Sequence, residues 1–157
     1  MPASEELKRT AIELYRDRFG VTLPDALRLE VQASQCEVWA TSAPALIPAQ
    51  PSRPPGLRIA RWFPQEMKPT SVFLMALGDR ITRSRIAISF EELRALLQGQ
   101  RIPTTSDDEG FVALVYLGDV IGCGRIRGGR LQALLPTGRR KELLDILDSG
   151  SPPVGDA

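Results

Sequence analysis

The sequence predicts an α+β protein in two small units: a mixed helix-and-sheet part over residues 1–84 and a strand-rich part with flanking helices over 85–148, with a frayed tail over 149–157. Three observations lead there. First, Phe111 to Leu117 is an apolar, β-branched run, closed by the two-residue turn signal Gly118-Asp119 and followed by a second apolar run from Val120. Second, Pro44, Pro48, Pro51, Pro54 and Pro55 crowd one stretch, which reads as a surface connection. Third, capped segments with helical spacing recur along the chain. The 157 residues are 43% hydrophobic and 25% charged, enough apolar surface for a core without disulfides or metal.

Element by element, Ser4 is an N-cap, and Leu7, Ala11, Leu14 and Tyr15 recur at helical spacing until Gly20. Pro24 to Gln32 reads as a shorter second helix, and Cys36 to Thr41, with Val38 and Trp39, as a strand. Gly56 releases a strand over Leu57 to Trp62. Thr70 or Ser71 then caps a helix over Val72 to Leu77 that stops at Gly78. A competing reading comes from the match of 72–81 to 112–121 at six of ten positions, a duplication that would make both segments strands. Arg85 to Ile88 is a strand, and Ser89-Phe-Glu-Glu92 is a capping box that starts a helix running to Gln98 and stopping at Gly99. Gly128-Gly129 is a second tight turn, joining the Val120 strand to Leu131–Leu135. A final helix, near Gly138 to Leu147, presents Leu143, Leu144 and Leu147 to the core.

Net charge is only +1, so the signal lies in where charge sits. Residues 1–52 hold five basic and seven acidic side chains, whereas 53–85 hold seven basic and two acidic. Between Ile121 and Lys141 stand Arg125, Arg127, Arg130, Arg139, Arg140 and Lys141 without one Asp or Glu. Arginine outnumbers lysine 17 to 3, and its planar guanidinium suits bidentate contact with phosphate. Arg125 and Arg127, two apart on a strand, point the same way, and Arg139-Arg140-Lys141 opens a helix, where cations oppose the macrodipole but favour an anion. Arg61 and Lys68 flank Trp62 and Phe63. These two rings and Trp39 read as core, with stacking on a base as the alternative.

The chain has no His, and Cys36 and Cys123 lack metal-ligand spacing, which excludes a zinc site; no cofactor is expected. Flanking glycines make Cys123 resemble a reactive thiol, but no base stands ready for it, so it reads as a buried structural residue. Gly122 to Gly128 superficially suggests a phosphate loop, but Arg127 stands where a dinucleotide fingerprint needs glycine. The small residues instead let the strand bend or another backbone approach. No window nears the roughly 20 apolar residues of a membrane span. The charged start is unlike a signal peptide, so the expectation is a cytoplasmic protein with reduced thiols.

Residues 86–141 resemble the C-terminal PUA-like RNA-binding region of the Fmu/Sun (RsmF-type) ribosomal-RNA cytosine-5 methyltransferases. The resemblance rests on Glu91, Glu92, Leu97, Gly99, Ile102, Gly110, Gly118, Ile121, Gly122, Gly124, Pro136 and Arg140, in that order. A family lysine falls on Arg125, which keeps the charge, and a family Lys-Asn pair falls on Gln132-Ala133, which does not. Gly56-Leu57 and Lys68-Pro69-Thr70 are similar to the region just upstream. The family's methyltransferase domain has no counterpart, so the chain looks like the tail alone.

The resemblance implies a PUA-like β pseudo-barrel over 85–148 and non-catalytic binding of structured RNA, either ribosomal or transfer RNA. Ribosome biogenesis, a ribosomal particle or a methyltransferase acting in trans is the implied setting. Arg125, Arg127, Arg130, Arg139, Arg140, Lys141, Arg61 and Lys68 are the expected RNA contacts. The rival reading is a protein-interaction adaptor whose basic rim meets an acidic partner. An enzyme is least expected, because no base, metal cluster or nucleophile pair is visible.

Overall fold

The computed structural model describes residues 3–24, 27–32, 36–40 and 56–149. The chain divides into two compact units, Met1–Arg83 and Ser84–Ala157. The architecture is mixed α+β, with four α-helices and two sheets among the described residues.

In the first unit, α1 (Glu5–Glu13) is capped by the Ser4 hydroxyl, which accepts from the Leu7 amide at 3.1 Å, and it widens into a π-helical turn over Leu14–Arg18. The sheet follows the order β1 (Leu29–Gln32), β2 (Glu37–Ala40), β3 (Leu57–Phe63), β4 (Glu66–Pro69), all antiparallel. β1 corrects the expected helix over 24–32. Leu27 and Leu29 are buried while Arg28 and Glu30 are exposed, a period of two that pairing with β2 satisfies. The proline stretch 44–55 and Thr41 lie outside the described residues, as does the tail beyond Ser149.

The register of β2 on β3 shifts between Val38 and Trp39, which leaves Ile59 as an extra residue on β3. The buried Tyr15 hydroxyl donates to the Ile59 carbonyl, so the bulge does not leave that acceptor unpaired. Tyr15, Phe19 and Phe73 cluster there, with Tyr15 and Phe73 edge to face at 5.0 Å. On β2, Glu37 is 5% exposed; it accepts from Arg58 at 2.6 Å and from the Trp39 indole at 3.3 Å. Thr70 is the cap of α2 (Ser71–Leu77): its hydroxyl accepts from the Phe73 amide at 3.2 Å and donates to the Arg58 carbonyl at 2.6 Å. The duplication reading is therefore corrected. Phe73, Leu74 and Leu77 bury one helical face, whereas Val112 to Tyr116 is buried without a break in a strand.

The second unit is a five-stranded sheet in the order β5 (Arg85–Ala87), β7 (Gly110–Tyr116), β8 (Asp119–Arg127), β9 (Arg130–Ala133), β6 (Ile102–Pro103). It curls into a half-barrel, with β5 and β6 as its edges. The helix α3 (Phe90–Leu97) starts at the expected capping box: Ser89 Oγ accepts from the Glu92 amide at 3.1 Å, and Glu92 accepts from the Ser89 amide at 2.9 Å. The helix α4 (Thr137–Asp148) follows β9, and Ile88, Leu93, Leu96, Leu97, Leu114, Ile126, Leu131 and Leu147 form the shared core.

The first hairpin turns one residue earlier than the sequence signal. Tyr116 pairs with Asp119, so Leu117 and Gly118 are the turn, with φ of 51° and 86°. Two positive φ values match a type I′ turn, which suits the strand twist, and the exposed Leu117 tolerates the left-handed region that would ordinarily favour Asn or Gly. Asp119 therefore belongs to the strand. A bulge follows directly: Val115 pairs with Val120 and Leu114 with Gly122, leaving Ile121 extra.

Candidate nucleic-acid interface

Antiparallel pairing on β8 decides where its arginines go. Arg125 stands opposite Phe111 on one side and Gln132 on the other, and Arg127 stands opposite Arg130. Residues opposite each other share a face, so Arg125, Arg127 and Arg130 lie together. Ile126 and Leu131, on the other face, are 1% exposed and belong to the core formed with α3 and α4. The Arg125 guanidinium sits 4.7 Å from the centre of the Phe111 ring, a cation–π contact that holds its stem and fixes the direction of its head. Arg127 and Arg130 are exposed.

The Gly128-Gly129 turn behaves as expected. Both residues have positive φ, 60° and 76°, and a side chain built on either would meet nothing within 4 Å. The glycines thus serve backbone conformation and leave a bare tip between two cations. Gly124 has the opposite reason: a Cβ there would lie 2.7 Å from Leu114 Cδ2 and 3.1 Å from the Gln132 carbonyl oxygen, so β9 can approach only because the side chain is missing. Cys123 is 1% exposed, with its Sγ 3.5 Å from the Gly124 carbonyl, which fits a packed strand residue.

Folding also brings a carboxylate to the tip. Glu109 Oε1 accepts from the Gly128 amide at 2.9 Å, and Thr104 donates to the Gly129 carbonyl at 3.0 Å. The sequence window without acids is therefore not an acid-free surface. Glu109 precedes β7 by one residue, and knowing that strand's register was the only route to it.

The second basic group stands on α4, which packs on the face of the sheet opposite Arg125, Arg127 and Arg130. The sequence therefore does not fold into one continuous rim. Arg139 lies 3.5 Å from Glu142, and Lys141 is exposed. The Nε atoms of Arg139 and Arg140 are buried with no hydrogen-bond partner. Arg140 Nη1 lies against Gly99, just past the C-terminus of α3, where a cation complements the helix dipole. No side chain caps α4, whose N-cap is Pro136.

Arg61 and Lys68 form the third group, in the first unit, directly opposite each other on the β3–β4 hairpin. Phe63 is 36% exposed, a correction to its reading as core, and Trp39 and Trp62 are half-buried. Arg61 and Lys68 lie 5.5 and 5.0 Å from the centre of the Phe63 ring. The spacing of Arg61, Phe63 and Lys68 carried that signal, since Arg61 and Phe63 share a face of β3 and Lys68 is opposite.

Among the described residues no helix is long and apolar enough to cross a membrane, and no three His, Cys, Asp or Glu side chains are placed to hold a metal ion. Residues 83–141 match the family model of the methyltransferase RsmF PUA domain. The stretch thus resembles the PUA-like region of RsmF-type methyltransferases, and the match, to an RNA-binding domain and not a catalytic one, points to RNA binding in general. No curated protein matches the chain.

Proposed function

We propose that this chain is a non-catalytic RNA-binding protein whose second unit, a PUA-like pseudo-barrel following a mixed α/β domain, docks structured RNA, most naturally ribosomal RNA during ribosome biogenesis. One observation carries the reading. Arg127 and Arg130 are held directly opposite each other beside a glycine turn that has no side chain of its own and whose Gly128 amide is held by the Glu109 carboxylate. Like charges in that position destabilise a sheet, and a phosphate lying between them removes the penalty. Arg125, locked on Phe111, extends the same face. Arg139, Arg140 and Lys141 offer a second contact from the α4 N-terminus, Arg140 least because it already meets the end of α3. Recognition of this kind reads helix shape and backbone, and it fits either a ribosomal particle or support of a methyltransferase supplied in trans.

The test is fluorescence anisotropy with a structured RNA and a variant in which Arg125, Arg127, Arg139 and Arg140 become Glu. Affinity should fall by at least about a hundredfold, to a similar degree across sequences, because each phosphate contact is independent of base identity. Arg9→Glu serves as the control for general charge. Arg16 is less suitable, being hydrogen-bonded to Asp17 at 2.8 Å. Equal loss in the control, or no RNA binding by the wild type, would favour an adaptor for an acidic protein instead.

A further inference from the structure

An open cleft of about 490 Å³ lies between the start of α1 and the β3–β4 hairpin. Leu7, Trp62, Phe63 and Met67 give it apolar walls, and Glu6 and Glu66 line it with them. Its size and its mixture of apolar walls with a few polar groups suit a small planar ligand. Phe63 lines this cleft and is part-exposed, and Arg61 and Lys68 lie over its ring, so a base stacking there would take the place of the cations as they turn to its phosphates. Neither cation has a carboxylate partner among the described residues.

The ring's contacts with both cations offset part of their repulsion, yet the hairpin still exposes a large aromatic side chain and sets two like charges opposite each other. The same three side chains are what an unpaired nucleotide needs: a ring to stack on and cations for the phosphates on either side. Glu6, on the cleft wall, sharpens the assignment: a carboxylate there repels phosphate from the interior and suits the N–H groups on the edge of a neutral base, while Glu66 stands opposite Phe63 on the face that carries the cations.

We propose that the β3–β4 hairpin holds a single unpaired RNA base, stacked on Phe63 at the cleft, with its flanking phosphates on Arg61 and Lys68. The inference rests on the RNA-binding reading above and adds a contact in the first unit that selects for a bulged or looped-out nucleotide.

The experiment compares two RNA stems of the same sequence, one fully paired and one carrying a single bulged nucleotide, by anisotropy with the full chain. The bulged stem should bind about tenfold more tightly, the size of one base–aromatic stack. Phe63→Ala should erase that advantage, Phe63→Trp should keep it, and neither should change affinity for the paired stem. Thermal melts check that both variants fold, as the exposure of Phe63 leads one to expect. Equal affinity for the two stems, with binding still salt-sensitive, would overturn this site and leave the RNA reading standing. A Phe63→Ala loss equal on both stems would also overturn it. Binding of neither stem would overturn both readings.

Discussion

Two hairpins in this molecule set a pair of cations directly opposite each other, Arg61 with Lys68 on β3–β4 and Arg127 with Arg130 on β8–β9, and they are built from different materials. The first is made with side chains: Trp62 opposes Met67, and Phe63 projects between the cations. The second is made by leaving side chains out, with Gly124 admitting the neighbouring strand and Gly128-Gly129 turning the chain. The same charge motif thus appears once beside a ring and once beside a bare backbone. A ring offers a surface for a base, and backbone without side chains offers room for a sugar-phosphate chain, so on the proposed reading the first hairpin would hold a base and the second the backbone.

The largest effect that would break this comparison is at Gly124. Replacing it with Ala drives a methyl group into Leu114 and the Gln132 carbonyl, and should cost about 1–3 kcal/mol of stability, read as a lower midpoint in urea unfolding. If Gly124→Ala is neutral, β9 does not need the close approach, and the glycine-built account of the second hairpin fails.

A smaller effect sharpens the comparison from the side of charge. Arg130→Glu and Lys68→Glu each convert an opposed like-charge pair into an opposite-charge pair. This should raise stability by roughly 0.2–1 kcal/mol for Arg130→Glu, whereas for Lys68→Glu the lost contact with the Phe63 ring and the neighbouring Glu66 offset the gain. Each should also weaken RNA binding, Arg130→Glu on any structured stem and Lys68→Glu chiefly on the bulged one. A residue whose replacement stabilises the protein while weakening its ligand is held for binding. Lower stability in both variants would mean that the cations are kept for folding.

Local signals were legible in the sequence and distant ones were not. The Ser89–Glu92 capping box and the Gly128-Gly129 turn depend on residues within a few positions of each other, and both stand where expected. The exception is β1, which differs from the expected helix although Leu27-Arg-Leu-Glu-Val-Gln32 alternates apolar and polar residues, the period of two that its pairing with β2 uses. The turn at Leu117-Gly118 was displaced because the bulge at Ile121 absorbs one residue, a feature set by packing and not by composition. For the site, the opposed arginines follow from the turn position alone. The separation of the α4 cations from them, and the arrival of Glu109, depend on which face the core selects.

The salt dependence of RNA binding tests the central claim most directly. Affinity of the wild type and of an Arg127→Glu/Arg130→Glu variant for one fully paired stem would be measured across a series of salt concentrations. If each arginine neutralises a phosphate, the logarithmic slope of the variant should be shallower by about 1.4–1.8, at 0.7–0.9 for each lost contact. Parallel lines for the two proteins, or an affinity that does not change with salt, would contradict the account.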